Sequence, residues 1–224
     1  MSIQSILLAI LSAVSFLTGS WAYATEPRNI ELVKQGLIHY HDSGEYEKDM
    51  ARVVQQAQAY LQSRIEENKV KHRNQKLAIV LDIDETALSN YPAMVKLGFG
   101  GTLQEIIEEE NKGVDPAIEP TLKLYQFAKD HGVAVFFITA RKEDSRAATA
   151  ANLESAGYKN YDGLYLLPMD YHEKTVAVFK TATRKKLMEE GYVIVLSLSD
   201  QKADLRGGYA EKAFKLPDPF YLVP

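Results

Sequence analysis

The chain has 224 residues, 46% hydrophobic and 25% charged, enough for one domain with a full core or one domain plus a small appendage. Its formal net charge of −4 excludes the basic footprint of a nucleic-acid protein, so an anionic ligand has to be met by local positive charge. No cysteine occurs, which excludes disulfides, a lipid-modified N-terminal cysteine and a thiolate zinc site.

Residues 1–24 carry no Lys, Arg, Asp or Glu, and the apolar run 6–17 is followed by Ala22-Tyr23-Ala24. That is the small-x-small pattern of a signal-peptidase site, on a run too short for a comfortable membrane span. A leader of residues 1–24, cut after Ala24, is expected. The mature chain is then exported, periplasmic or secreted, soluble, not lipid-anchored and free of the membrane. Residues 28–41 and 46–68 read as two helices broken at Ser43-Gly44. In the second, Val54, Ala57, Leu61 and Ile65 recur at helical spacing and form one apolar stripe. Residues 25–75 are thus expected to form an N-terminal helical segment ending in a charged linker.

From residue 76 to 224 strands and helices alternate. Leu77 to Leu81 is a strand, and 87–117 is a Gly- and Pro-rich connection with some helix. A helix opens at Pro120 and stops at Gly132. Residues 133–139 form a second strand, and an Ala-rich helix ends at Gly157. Residues 163–168 form a third strand, 176–180 a short extended stretch, and 183–191 a helix. Residues 192–200 form a fourth strand and 213–217 a last short one. Uninterrupted apolar strands separated by amphipathic helices mean an α/β fold with a largely parallel sheet covered on both faces. In such sheets ligands sit beyond the carboxyl ends of the strands.

That rule gathers the polar residues at strand exits. Asp82 and Asp84 leave the first strand, Thr139 the second, Lys180 the short stretch and Asp200 the fourth. Two carboxylates two residues apart repel unless a cation or a proton intervenes. Three aspartates and a lysine suit Mg²⁺ and a phosphoryl group, with Asp82 and Asp200 offering oxygen ligands. Asp82 is placed to attack phosphorus and form an aspartyl phosphate. Asp84 is placed to serve as general acid to the leaving oxygen and then as general base to water. Thr139 and the backbone N–H groups beside it, at Ala140, can donate to phosphate, while Lys180 neutralises it.

This set resembles the haloacid dehalogenase superfamily, with the first motif at 81–90, the second at Thr139, the third at Lys180 and the fourth at Asp200 and Asp204. The likeness is closer to its subfamily of four-aspartate acid phosphatases, the bacterial class C enzymes and the plant acid phosphatases related to vegetative storage proteins. It spans roughly residues 30–224. The resemblance implies a Rossmann-like three-layer sandwich, with residues 87–117 as a small helical cap and an open site. It implies a Mg²⁺-dependent phosphomonoesterase in which Asp82, the Asp84 backbone carbonyl and Asp200 hold the metal. Asp204 then supports a metal-bound water or Lys180. Ser199 stands where relatives often have glycine, Ala140 where many have Gly or Asn, and Lys202-Ala203 replaces an aromatic-and-serine pair. These departures bear on substrate preference.

Tyr91 and Phe99 either stack on an aromatic leaving group, such as a nucleobase, or form the core of the insertion. Arg141 either reaches the phosphate or pairs with a carboxylate behind it. His39 and His41 do not share a helix face and form no metal site. Arg184, Lys185 and Lys186 read as a solvated helix face, and 108–111 as a solvated helix end. The expected activity is hydrolysis of small phosphomonoesters, nucleotides among them, with no nucleic-acid partner. A phosphotransferase using the same intermediate and a non-catalytic storage or binding relative are the alternatives.

Overall fold

A computed structural model describes residues 26–222; the expected leader, residues 1–24, lies outside the described residues. Helices α1 (Ile30–Asp42) and α2 (Glu45–Val70) precede strand β1 (Lys76–Leu81). Short helices α3 (Tyr91–Lys96) and α4 (Leu103–Glu110) fill the connection to α5 (Glu119–Asp130). Strand β2 (Ala134–Lys142), helix α6 (Arg146–Ser155), strand β3 (Gly163–Leu167), helix α7 (Val176–Glu189), and strands β4 (Tyr192–Ser199) and β5 (Lys212–Lys215) complete the chain.

The five strands lie in the order β3-β2-β1-β4-β5, and every pairing is parallel. Side chains alternate across β1. Leu77, Ile79 and Leu81 join a core with Met50, Val54 and Leu61 of α2, Leu124 of α5 and Leu153 of α6. Ala78 and Val80 face the other way, onto Leu187 of α7 with Phe136, Ile138 and Ile194. This is a three-layer α/β sandwich, and a strand buried on both faces needs the uninterrupted apolar run seen in the sequence. Each fully buried Leu or Ile contributes about 1.5–3 kcal/mol, so the α2 stripe holds that helix on the sheet. Successive strands build outward from β1 in one direction through β2 and β3, and in the other through β4 and β5. The crevice therefore opens between the carboxyl ends of β1 and β4.

One element differs from expectation. Residues 176–180 are not extended but form the start of α7. Their apolar, partly β-branched composition resembles a strand, yet Lys180, Thr183, Arg184 and Leu187 are buried at helical spacing. Packing of that stripe overrides a weak local preference. Lys180 thus reaches the crevice from a helix rather than from a strand exit. In the insertion, Thr102 and Glu105 form a reciprocal capping box that starts α4.

Candidate active site

The β1–β4 ladder runs one residue past β1, because the Asp82 N–H donates to the Leu198 carbonyl at 3.0 Å. The chain then turns sharply. The Ile83 carbonyl accepts from the N–H groups of Thr86, Ala87 and Leu88 at 3.1, 2.8 and 2.9 Å, and Glu85 takes the left-handed conformation with φ of 46°. Thr86, fully buried, closes the turn onto β4. Its Oγ1 accepts from the Asp200 N–H at 3.1 Å and donates to Asp200 Oδ1 at 3.3 Å. The threonine of the Asp-x-Asp-x-Thr stretch therefore ties the first strand exit to the fourth.

Asp82, Asp200 and Asp204 are all buried, and an oxygen from each lies within 4.8 Å of the others. Lys180 Nζ sits 2.8 Å from Asp82 Oδ1 and 2.6 Å from Asp204 Oδ2. Ser199 Oγ lies 2.9 Å from Asp204 Oδ2 and 3.1 Å from Asp82 Oδ2. Burial raises the Asp82 carboxyl well above its ordinary range, Lys180 pulls it back, and Asp204 and Asp200 push it up again. Asp200 is pushed up to about 7, first by burial and then by neighbouring Asp218. Burial is the largest single effect on Asp204 and opposes its ionisation, but Lys180 together with the hydrogen bonds from Asp82 and Ser199 holds that carboxyl low. Asp82 and Asp204 share one ammonium, and Asp200 beside them has no ion pair of its own among the described residues. A hard divalent cation removes that excess, and oxygen donors are the ligands such a cation prefers, so these residues fit a metal of the Mg²⁺ type.

Asp84 faces elsewhere. Arg141 grips it with Nη2 at 2.7 Å and Nε at 3.0 Å to Oδ1, and Asn90 Nδ2 donates to the same oxygen at 2.8 Å. Thr139 Oγ1 reaches its other oxygen only at 3.5 Å. Burial opposes ionisation, but Arg141 and Asn90 together hold Asp84 below the ordinary aspartate range. Arg141 also pairs with buried Asp115 at 3.2 Å. With its side chain 1% exposed, it is a carboxylate partner, yet it also lines the pocket and its buried Nη1 has no hydrogen-bond partner among the described residues. Thr139 is fully buried, and its Oγ1 accepts from the Arg141 N–H at 3.0 Å. Ala140 is exposed on the lining of the pocket.

The pocket encloses roughly 530 Å³. Its floor carries Asp82, Asp84, Lys180 and Asp200, and its wall is apolar, with Met94, Phe99, Ile106 and Phe220. Phe99 faces it and lies 6.0 Å from Phe220, ring to ring. Tyr91 does not line it. That residue is 8% exposed, stacks on His41 at 3.4 Å and donates to Asp42 at 3.0 Å, which makes it a joint between α1 and the insertion.

Several residues that sequence reasoning passed over stand in or beside this site. Glu110, expected at a solvated helix end, lies at the end of α4 on the pocket lining, half-buried. Its carboxyl is pushed up to about 8 by burial and by Asp84. Arg184, expected on a solvated face, is 1% exposed and donates to the carbonyls of Asp204 at 2.8 Å and Gly208 at 2.9 Å. Asp115 and Asp218 each precede a proline and read as turn residues; nothing local to them marks a site.

A parallel sheet with this order, and an acidic crevice at its reversal point, define a phosphohydrolase of the haloacid dehalogenase type. A family model described as HAD superfamily, subfamily IIIB (Acid phosphatase), matches residues 4–224, and the chain belongs to that family: it is a HAD-class acid phosphatase. It is 35% identical over 219 residues to the stem 28 kDa glycoprotein of Glycine max, covering 91% of this chain and 83% of that one. To acid phosphatase 1 of Solanum lycopersicum it is 36% identical over 148 residues, covering 64% and 58%. The structure of the class C acid phosphatase from Bacillus anthracis matches with a TM-score of 0.68 and 25% identity over 86% of this chain and 87% of that one. The same enzyme has been solved with tungstate bound. Among the described residues, no helix is long and apolar enough to cross a membrane.

Proposed function

We propose that the protein is an exported, Mg²⁺-dependent phosphomonoesterase of broad specificity that works through an aspartyl phosphate on Asp82. The observation that carries this reading is the buried Asp82–Lys180–Asp204 cluster beside Asp200. It combines a nucleophile, a cation for the phosphate and a seat for a metal. That the Bacillus anthracis enzyme binds tungstate, a tetrahedral oxyanion like phosphate, supports a phosphate ligand here. In this reading residues 1–24 are the leader, 25–75 the helical segment and 76–224 the catalytic core, with 87–117 covering the site.

Asp82, the Asp84 backbone carbonyl and Asp200 hold the ion, which when bound neutralises the carboxylates and the phosphate oxygens. Asp82 attacks phosphorus in line with the ester oxygen, whose bond to phosphorus breaks. Lys180 and the N–H groups near Thr139 and Ala140 hold the equatorial oxygens. Arg141 and Asn90 keep Asp84 ionised in the free enzyme, so the proton for the leaving oxygen arrives with the substrate. A phosphomonoester monoanion, dominant below its second pKa of about 6, carries one. Asp84 passes that proton to the leaving alcohol, then takes one from the water that opens the acyl phosphate. The apolar wall at Phe99 and Phe220 favours aryl and alkyl leaving groups.

Purified mature protein, with a mass starting at Thr25, is expected to hydrolyse p-nitrophenyl phosphate between acid and neutral pH and to stop in EDTA. Glycerol added as acceptor tests the phosphotransferase reading. No turnover with Mg²⁺ across that range would return the chain to the storage reading.

A further inference from the structure

The C-terminal segment that follows β5 is fastened at two points to the site. Asp218 Oδ2 accepts from Gln201 Nε2 at 2.6 Å, and the same nitrogen donates to Asp200 Oδ2 at 2.7 Å. Asp218 Oδ1 accepts from the Phe220 N–H at 2.9 Å, which folds the segment back on itself. Tyr221 then donates to the fully buried Glu85 at 2.5 Å, and Glu85 accepts from the Asn90 N–H at 2.6 Å. One anchor is therefore on Asp200. The other is on the turn that carries Asp84. Between them Phe220 and Tyr221 line the pocket above the carboxylates.

The charges around these anchors are unevenly served. Lys180 pairs with Asp82 and Asp204, and Arg141 with Asp84 and Asp115. Among the described residues, no ion pair reaches Asp200 or Asp218, which share the Gln201 amide nitrogen and also lie within hydrogen-bonding reach of each other. Two carboxyls in such contact repel unless a proton or a cation lies between them. A cation on Asp200 takes up that charge and leaves the Gln201 amide holding both groups in place. In metal sites such outer partners fix the orientation of the ligand they touch, and losing one typically weakens metal binding 10–100-fold.

We propose that Asp218 is a positioning residue of the cation site, and that cation binding in turn fastens residues 216–222 and the Phe220–Tyr221 wall of the leaving-group pocket. The proposal rests on the reading of Asp200 as a metal ligand. It makes a substrate-facing wall depend on metal occupancy, so the ion organises the pocket for the leaving group as well as the chemistry at phosphorus. Pro217 and Pro219 limit the freedom of the segment, so two anchors are enough to set it.

The test is calorimetric titration of MgCl₂ into the metal-free mature protein, paired with amide exchange of residues 216–222. In the parent, Mg²⁺ is expected to slow exchange in that segment. Asp218→Ala is expected to weaken Mg²⁺ binding about tenfold and to abolish the slowing. In Asp218→Asn, whose side-chain oxygen still accepts from Gln201, the loss is expected to be smaller. An equal loss in both variants assigns the effect to the charge of Asp218 and leaves the proposal standing. If Asp218→Ala does not fold, Gln201→Leu removes the amide bridge between Asp200 and Asp218 and is expected to show the same tenfold loss. Parent-like affinity in the folded variant used overturns the proposal. A parent protein that takes up no Mg²⁺ overturns the metal reading itself, a separate result.

Discussion

At the scale of single residues, the site divides its carboxylates by their partners. Asp82 lies beside an ammonium and two other carboxylates, whereas Asp84 is held by a two-nitrogen fork and an amide. In the first, both carboxylate oxygens are engaged, Oδ1 by Lys180 and the Ile83 N–H and Oδ2 by Ser199 Oγ; in the second, the carboxylate is fixed by a cation. Asp82→Asn is expected to lower kcat for p-nitrophenyl phosphate at least about a thousandfold, as loss of a covalent nucleophile does. It removes one of the two carboxylates paired with Lys180, the one whose ionisation burial opposes, so its metal-free melting temperature should not fall. A residual rate near the parent's would show that Asp82 makes no bond to phosphorus. The Asp84 grip has a pH signature. With Asp84 held ionised, kcat/KM should decline above about pH 6 as the substrate monoanion disappears. Replacing Arg141 by Met withdraws the charge that keeps Asp84 low, so its pKa rises and it carries its own proton to higher pH. The alkaline limb is expected to move upward while the maximum rate falls. An unmoved limb in a folded variant would separate that limb from Asp84.

At the scale of elements, the site depends on how α7 grips the loop after β4. Arg184 donates to the carbonyls of Asp204 and Gly208, and Thr181 Oγ1 donates to that of Arg206 at 3.1 Å. This fixes Asp204 opposite Lys180. Gly207 makes the close approach possible: its φ is 84°, and a Cβ there would overlap the Thr181 side chain. Gly207→Ala is therefore expected to cost about 2–4 kcal/mol, the backbone strain plus the overpacking, and to lower kcat by displacing Lys180 from Asp82. Gly191→Ala is the control. That glycine has φ of 91° but nothing within 4 Å of the added carbon, so only the backbone cost of roughly 1 kcal/mol applies. Urea denaturation of both variants checks the difference; equal losses would remove the packing argument. The same helix shows where the sequence was legible and where it was not. Strands β1, β2 and β4 and the aspartates beyond β1 and β4 could be read, because an apolar run that stops at a carboxylate is a local pattern. The start of α7 and the burial of Arg184 could not. The partners of Arg184 are loop carbonyls 20 and 24 residues further on, and nothing in the basic stretch 184–186 distinguishes a buried arginine from two solvated lysines. Glu110 escaped for the same reason: its charged neighbours Asp84 and Arg141 come from the turn after β1 and from β2.

At the scale of the whole molecule, the acidic crevice is expected to make stability depend on pH and on the cation together. Asp200 is raised to about 7 from an ordinary 3.8, chiefly by burial. Asp82 and Glu85, also raised by burial, act in the same direction. A carboxyl whose pKa is higher in the folded than in the unfolded chain binds its proton more tightly when folded. The metal-free protein therefore loses stability as pH climbs from the ordinary carboxylate range to about 7, the reverse of the usual aspartate case. Mg²⁺ competes with those protons and replaces them at the pH where they leave. The metal-free protein is expected to melt at a higher temperature at pH 5 than at pH 8. Mg²⁺ at about a hundred times its dissociation constant should add about 2.7 kcal/mol, roughly 5–10 °C for a chain of this size. That rise should be larger at pH 8 than at pH 5, where protons already neutralise the crevice, and EDTA should reverse it. Thermal melts at the two pH values, with and without the ion, decide the matter. A metal-free melting temperature that is flat across this range, with an equal Mg²⁺ effect at both ends, would mean that the carboxylates do not share a charge deficit and that the crevice is not held together by its cation.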